Sequence, residues 1–135
     1  MFSSTTDQWA TPQDFFDKLD NEFHFTLDPC ADETNYKCNN YYNKEQDGLK
    51  QDWGGNIVFC NPPYGNVIKD WVKKCSDESK KLNTIVVLLM PARTDTIYFH
   101  KYIYNKVKEI RFIKGRLKFG DSKNAAPFPS MVVVF

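Results

Sequence analysis

The tetrapeptide Asn61-Pro62-Pro63-Tyr64 is the segment of this sequence best suited to hold a reacting group. Two consecutive prolines have no N–H to donate, so the chain must leave any sheet there in a stiff, extended turn. That turn fixes two uncharged acceptors, the side-chain oxygen of Asn61 and the carbonyl of Pro62. Such a pair suits a planar amino group that must act as a nucleophile, and Tyr64 offers an aromatic face for a flat ring. The tetrapeptide therefore predicts a site for an amine on a flat base or amide.

An ordinary turn is the alternative interpretation of the same residues, because Asn and Pro are common turn formers. Two neighbours favour the functional interpretation. The apolar run 57–60 directly precedes the tetrapeptide, and Gly65 directly follows it. We therefore predict that Asn61 lies at the carboxyl end of a strand, which is where open α/β sheets bind their ligands.

The elements that must position this loop follow from periodicity. We predict a helix with Thr11 as its N-cap and Pro12 as its first residue, another after Asn66, and a third capped by Asp95 or Thr96. The predicted strands are 23–27, 57–60, 84–90, 110–113 and 131–135, with a short one near 40–42. Strand and helix alternate after residue 59, which predicts a parallel α/β sheet. The last two strands lack an intervening helix, so they can pair antiparallel.

Composition limits the alternatives. A length of 135 residues with 41% hydrophobic residues predicts one domain with an adequate core. No apolar run approaches the roughly 20 residues that span a membrane, and the N-terminus does not resemble a secretory signal. The four cysteines form no Cys-x-x-Cys pair, so we expect free thiols in a reducing cytoplasm rather than a zinc site.

Asn-Pro-Pro-Tyr resembles the catalytic motif of amino-methyltransferases that use S-adenosylmethionine, which include DNA adenine and release-factor glutamine methyltransferases. Further segments resemble the phage-type DNA N6-adenine methyltransferase family, and the resemblance runs from Trp9 to Phe135. These segments are 9–12, 15–16, 26–31, 47–49, 91–96, 115–117 and 126–130. The resemblance implies an α/β, Rossmann-like methyltransferase fold of reduced size, with a mostly parallel sheet and an antiparallel final strand. Residues 1–135 would form a single methyltransferase domain without a separate target-recognition domain.

The activity implied is methyl transfer from S-adenosylmethionine to the 6-amino group of a flipped-out DNA adenine, by direct in-line displacement and without a metal. S-adenosylhomocysteine would be the product, and a phage-encoded protein would act in the cytoplasm of its bacterial host. The catalytic residues would be Asn61, Pro62, Pro63 and Tyr64. RNA adenine or protein glutamine is an alternative substrate, and a non-catalytic nucleic-acid-binding relative is an alternative of another class.

The resemblance also implies residues that bind the methyl donor, with Asp28 accepting from its ammonium group. These residues are Trp9, Thr11, Pro12, Asp28, Pro29, Cys30, Asp47 and Asn61. Trp9, Thr11 and Pro12 would lie by the methionine end, although helix capping and a core tryptophan explain them equally well. Asp47 would contact the adenine of the donor, with Asp52 as its competitor. The usual glycine-rich loop is absent after Asp28, and no acid for the ribose stands out.

Charge is distributed unevenly along the chain. Residues 1–56 carry 11 acids and 4 bases, whereas residues 57–135 carry 14 bases and 6 acids. The basic half could meet DNA phosphates, and we expect Arg93 and Arg116 to do so from loops, with Lys118 as a further candidate and Thr94 as a substrate-binding neighbour of Arg93. Phe119 and Phe128 either face the flipped base opposite Tyr64 or belong to the core. With so short a chain, site recognition has to come from these loops, from a second copy in a homodimer, or be lax.

Overall fold

A mixed α/β arrangement with one four-stranded sheet carries the candidate site. This computed structural model describes residues 9–120 and 123–135. The helices are α1 (Gln13–Phe23) and α2 (Ile68–Ser79), with a 3₁₀ turn at Gly48–Lys50 and a π-helical turn at Phe99–Ile103. The strands are β1 (Ile57–Cys60), β2 (Ile85–Pro91), β3 (Glu109–Phe112) and β4 (Ser130–Val134).

The strand order in the sheet is β1-β2-β4-β3. Strands β1 and β2 pair in parallel, with Val58 opposite Val86. The final strand β4 pairs antiparallel with β3, as the sequence predicted, and also with β2, so two of the three ladders between these strands are antiparallel. Strands β1, β2 and β3 therefore point the same way, and their carboxyl ends lie at one edge of the sheet.

The strand predicted at 23–27 is shorter than expected. Leu27 forms one parallel bridge with Val58, and Asp28 forms another with Tyr41, where the short strand near 40–42 was predicted. The reason lies at the end of α1, where His24 adopts a left-handed conformation (φ 59°) and the Asp20 carboxylate accepts the N–H of Phe25. The chain reaches the sheet only at Thr26 and leaves it at Pro29, which has no N–H to donate.

The two long helices cover opposite faces of the sheet. On one face Phe16 of α1 packs edge-on against Phe59, with ring centroids 5.1 Å apart. Cys60, the next residue of β1, is buried next to Cys75 of α2, and this neighbour contributes to raising the pKa of the Cys60 thiol. Successive side chains of a strand point to opposite faces, so α1 and α2 lie on opposite sides of β1. Coverage on both faces explains why residues 86–90 of β2 are fully buried.

The predicted helix starts need correction. The N-cap of α1 is Pro12 rather than Thr11, and that of α2 is Val67 rather than Asn66; neither helix has a side-chain cap. The helix predicted after residue 95 is largely a π-helical turn, in which the Tyr104 N–H donates to the Phe99 carbonyl at 2.9 Å. The N-cap of this turn is Tyr98 rather than Asp95 or Thr96, although the Thr96 hydroxyl accepts the N–H of Phe99 at 3.3 Å.

Strand β1 has the predicted limits, and the limits of the other three strands differ from the predicted ones by one residue. Strand β2 begins and ends one residue later, whereas β3 and β4 begin and end one residue earlier. Across the described ranges, none of the helices combines the length and the apolar character needed to cross the hydrocarbon layer of a membrane.

Candidate active site

The side-chain amide of Asn61 is held in one orientation by three hydrogen bonds. Its nitrogen donates to the Trp9 carbonyl and to the Thr11 hydroxyl, the latter at 2.9 Å. Its oxygen accepts from the hydroxyl of Tyr64 at 2.7 Å. An amide oxygen has two lone pairs, so one lone pair remains for a further donor. The amide therefore presents an acceptor of fixed direction at the end of β1.

The segment around Trp9 forms hydrogen bonds with the Asn61 amide and does not cap α1. The Thr11 side chain is buried, and its hydroxyl accepts from Asn61 instead of capping the helix. The carbonyl of Ala10 accepts the N–H of Gly120 at 2.8 Å, which ties the segment to the loop between β3 and β4. Two segments far apart in sequence thus meet at Asn61.

Four aromatic side chains pack together beside this amide, and we call them the aromatic cluster: Trp9, Tyr64, Phe119 and Phe128. The Tyr64 ring lies 5.6 Å from Phe128 and 6.3 Å from Phe119, both edge-on. Trp9 is stacked on Tyr64 at 6.5 Å between centroids. Tyr64 is only 5% exposed, so the face predicted to receive a base is covered in this structure. Burial also raises the pKa of Tyr64 well above its usual value, which keeps its hydroxyl a donor to Asn61.

Asp28 lies at the end of its short bridge with both carboxylate oxygens directed at backbone donors. One oxygen accepts the N–H of Cys30 at 3.2 Å, and the other accepts the N–H of Lys37 at 3.0 Å. Burial raises the pKa of Asp28 to about 6, although these two hydrogen bonds oppose the shift. The carboxylate therefore holds the loop that follows it and changes charge close to neutral pH.

Two cavities adjoin along this edge of the sheet. The smaller one, of about 90 Å³, lies beside Asn61 and Asp28. The larger one, of about 630 Å³, lies between Pro29 and Trp71. They share three lining residues, Cys30, Asn35 and Pro63, so they form neighbouring parts of one groove. Of the residues predicted to bind a cofactor, Pro12 is the one that lines neither cavity.

The loop of Asp47 forms the far wall of the larger cavity. The Asp47 carboxylate accepts the N–H of Leu49 at 3.1 Å and so caps the 3₁₀ turn. Gly48 packs directly on the Pro29 backbone, where a Cβ atom would lie 2.0 Å from the carbonyl oxygen. Glycine is thus required between Asp47 and Leu49. The competitor Asp52 lines neither cavity and instead forms an ion pair with Lys81 at 2.8 Å.

The residues predicted to meet DNA lie in two groups. Arg93 and Thr94 follow β2, Arg116 follows β3, and all three side chains are exposed. Since the carboxyl ends of β1, β2 and β3 share one edge, these loops and Asn61 lie on the same side of the sheet. Phe119 and Phe128, by contrast, are buried in the aromatic cluster.

Sequence reasoning missed several residues of the groove, including Asn35, Lys37 and Trp71. Asn35 and Lys37 line the smaller cavity, and Trp71 of α2 lines the larger one. Asn35 and Lys37 lie in a connection without hydrophobic periodicity. The signal in the sequence that could have placed them at the site was their position shortly after Asp28. Trp71 follows helical spacing and reads as a core residue. Within residues 9–120 and 123–135, no group of three or more His, Cys, Asp or Glu side chains is placed to hold a metal ion.

Comparison with known proteins places these features in a family. The sequence profile of a family described as DNA N-6-adenine-methyltransferase (Dam) matches residues 1–134. The chain is 32% identical over 139 residues to the DNA N-6-adenine-methyltransferase of Haemophilus phage HP1 (strain HP1c1), covering 98% of this chain and 80% of that protein. It is 34% identical over 95 residues to the DNA N-6-adenine-methyltransferase of Escherichia phage T1, covering 69% of this chain and 39% of that protein. The chain belongs to the DNA N-6-adenine-methyltransferase family.

Proposed function

We propose that this protein transfers a methyl group from S-adenosylmethionine to the 6-amino group of a DNA adenine. The observation that carries the proposal is the fixed amide of Asn61, a residue that lines the smaller cavity at the carboxyl end of β1. Family membership supports the substrate, because both phage relatives are named for methylation of DNA adenine. We also assign a Rossmann-like methyltransferase fold, which the common direction of β1, β2 and β3 supports.

The groove residues fit this methyl donor. The smaller cavity offers the Asp28 carboxylate, which suits an ammonium group. The larger cavity has the size of a small-molecule site, and Pro29, Pro63 and Trp71 give it apolar walls for a nucleoside. Asp47 lies in the same cavity, where its carboxylate can accept from the amino group of the donor's adenine.

The side-chain oxygen of Asn61 and the carbonyl of Pro62 would accept the two hydrogens of the target amine. Holding both hydrogens turns the nitrogen lone pair out of conjugation with the ring and toward the methyl group. S-adenosylmethionine supplies that methyl group as a sulfonium substituent. A nitrogen–carbon bond forms as the carbon–sulfur bond breaks, and the acidic proton of the methylated amine is lost afterwards. Asn61 and Pro62 therefore act by positioning and electrostatics, with no covalent protein intermediate.

The aromatic cluster is where we place the flipped adenine. A base inside a duplex cannot reach Asn61, so it must leave the stack. Tyr64 then stacks on it, and the base takes the space of Phe119 or Phe128, which are in contact with Tyr64 in this structure. Both phenylalanines lie in the loop between β3 and β4, whereas Trp9, which is stacked on Tyr64, precedes α1, so both segments would have to move to uncover the ring.

DNA would lie along the edge that carries the two basic loops. Arg93, Thr94 and Arg116 are exposed there and are placed to contact phosphates. A second copy of the chain is a further source of contacts, and gel filtration with and without DNA tests for that homodimer. Because the relatives are phage proteins, we propose the bacterial cytoplasm as the place of action.

Methyl transfer from radiolabelled S-adenosylmethionine tests the function. Four substrates are offered separately. They are an adenine-containing DNA duplex, a duplex of the same length with G·C pairs alone, RNA and a release-factor protein. We expect label only in adenine-containing DNA, recovered as N6-methyladenine by mass spectrometry. Asn61→Ala should abolish transfer while leaving S-adenosylhomocysteine affinity within about threefold. Label confined to RNA or protein, or wild-type rates in Asn61→Ala, would overturn the proposal.

A further inference from the structure

Lys37 lines the smaller cavity together with Asp28, and the charge of its ammonium group interacts with that of the Asp28 carboxylate. Its side-chain nitrogen donates to the side-chain oxygen of Gln13 at 2.9 Å. No ion pair joins Lys37 to a carboxylate within residues 9–120 and 123–135. An ammonium group has three donors, so this one retains hydrogens for a ligand.

The position of Lys37 is fixed by the backbone as well as by Gln13. The Lys37 N–H donates to Asp28, and the same carboxylate accepts from Cys30. The Asp28 carboxylate is thus hydrogen-bonded to the backbone of Lys37, which holds an anionic and a cationic residue close together. Both line a cavity of about 90 Å³ that ends at Asn61.

Burial lowers the pKa of Lys37, and the negative charges of Asp28 and Asp17 oppose that shift. A partly buried cation without a paired anion is unfavourable, so an anion entering the cavity would gain from meeting it. The neighbouring Asp28 carboxylate suits a cationic group, so a matching ligand must carry both an anion and a cation. The ligand end that satisfies both groups carries an ammonium and a carboxylate on the same carbon atom, as an α-amino acid does.

We propose that Lys37, oriented by Gln13, binds the carboxylate of the methionine portion of S-adenosylmethionine, while Asp28 binds its ammonium group. The inference rests on the proposed function and extends it to donor selection. Lys37 makes the protein discriminate against adenosyl ligands that lack the carboxylate. Asn61 then meets a methyl group whose position is set from the amino-acid end.

Equilibrium binding by calorimetry tests the inference without catalysis. The ligands are S-adenosylhomocysteine and its decarboxylated analogue, offered to wild type, Lys37→Met and Gln13→Ala. Charge-assisted hydrogen bonds are the strong ones, so we expect wild type to prefer S-adenosylhomocysteine by roughly tenfold or more. Lys37→Met should lose most of this preference by weakening S-adenosylhomocysteine alone. Gln13→Ala should lose a smaller part of it.

Lys18→Met is the matched control, because Lys18 is an exposed residue of α1 that lines neither cavity. It should leave both affinities unchanged. An unchanged preference in Lys37→Met, or an equal loss for both ligands, would overturn the role of Lys37 alone. A wild-type protein that binds neither ligand would instead overturn the proposed function, and with it this inference. Equal thermal unfolding midpoints of the variants exclude a folding defect as the cause.

Discussion

The hydroxyl of Tyr64 donates to the side-chain oxygen of Asn61 at 2.7 Å, so two residues of one tetrapeptide hold each other. The bond uses the same oxygen that is proposed to accept from the target amine. It leaves one lone pair of that oxygen for a further donor. Tyr64 therefore has two separable parts, a hydroxyl that orients Asn61 and a ring that can carry a base.

Substitution of Tyr64 should separate these two parts. Tyr64→Phe keeps the ring, and the Asn61 amide stays anchored through its nitrogen, so we expect the single-turnover rate to fall by about tenfold or less. Tyr64→Ala removes the ring as well, and we expect a loss of more than about a hundredfold, since base stacking contributes roughly 1–3 kcal/mol in addition. Quenched-flow assays on adenine-containing duplex measure both rates. Equal losses in the two variants would contradict a role for the ring.

Thr11→Val should slow methyl transfer although Thr11 is not expected to touch the adenine. Valine has a similar shape but cannot accept from the Asn61 nitrogen, whose donor would then be unsatisfied in a partly buried site. We expect the rate to fall by roughly threefold to tenfold, in keeping with about 1 kcal/mol for one hydrogen bond. Thr11→Ser restores the acceptor and should recover most of the rate. Steady-state kcat and the S-adenosylhomocysteine Kd distinguish this effect from loss of the donor site.

Ligand affinity should depend on pH through Asp28. Its pKa is raised to about 6 in the ligand-free protein, and an ammonium group beside it favours the charged carboxylate. Binding of S-adenosylhomocysteine therefore releases a proton below pH 6. We expect affinity to rise by up to about tenfold per pH unit toward pH 6 and to level off above it.

Calorimetry at pH 5, 6 and 7, in buffers of different ionisation enthalpy, measures both the affinity and the proton released. Asp28→Asn should bind weakly with no such dependence between pH 5 and 7. Affinity of the wild type that fell on raising the pH from 5 to 7 would refute the assignment.

Loss of a basic loop residue should weaken DNA binding in a salt-dependent way. Each phosphate contact contributes about 0.9 to the slope of log K against log salt concentration, so Arg93→Ala and Arg116→Ala should each lower the slope by about that amount. Arg111→Ala is the control, because Arg111 already forms ion pairs with Glu22 and Glu109. Fluorescence anisotropy across a salt series measures the slopes. A slope change for Arg111 as large as that for Arg93 would argue against the proposed DNA edge.

The family was predictable from short motifs, and the match over residues 1–134 confirms it. The buried strand β2 and the loop after β1 were predictable for a physical reason. A continuous apolar run and a pair of prolines each fix the backbone locally, whatever lies elsewhere in the chain. The antiparallel final strand was predictable too, because no helix separates β3 from β4.

The contacts that complete the site were not predictable in the same way. Thr11 was expected to cap α1, but its hydroxyl is bonded to Asn61, fifty positions along the chain. A local pattern cannot show which of two available partners a hydroxyl will take. Lys37 was hidden for a similar reason, since its connection has no periodicity and is shaped by the Asp28 carboxylate. The roles assigned to these side chains remain predictions for the experiments above.

The close approach of Gly48 to Pro29 has a consequence for how this protein can diverge. Where a Cβ would lie 2.0 Å from a carbonyl oxygen, two main chains are in direct contact with no side chain between them. The distance between the Asp28 loop and the Asp47 loop is therefore set by direct contact between their two backbones. Substitutions elsewhere in these two loops can change which groups line the cavity but not the distance between the loops. The loops after β2 and β3 take no part in the contact between Gly48 and Pro29. The preference for a DNA target can therefore change during evolution while the width of the proposed donor site stays constant.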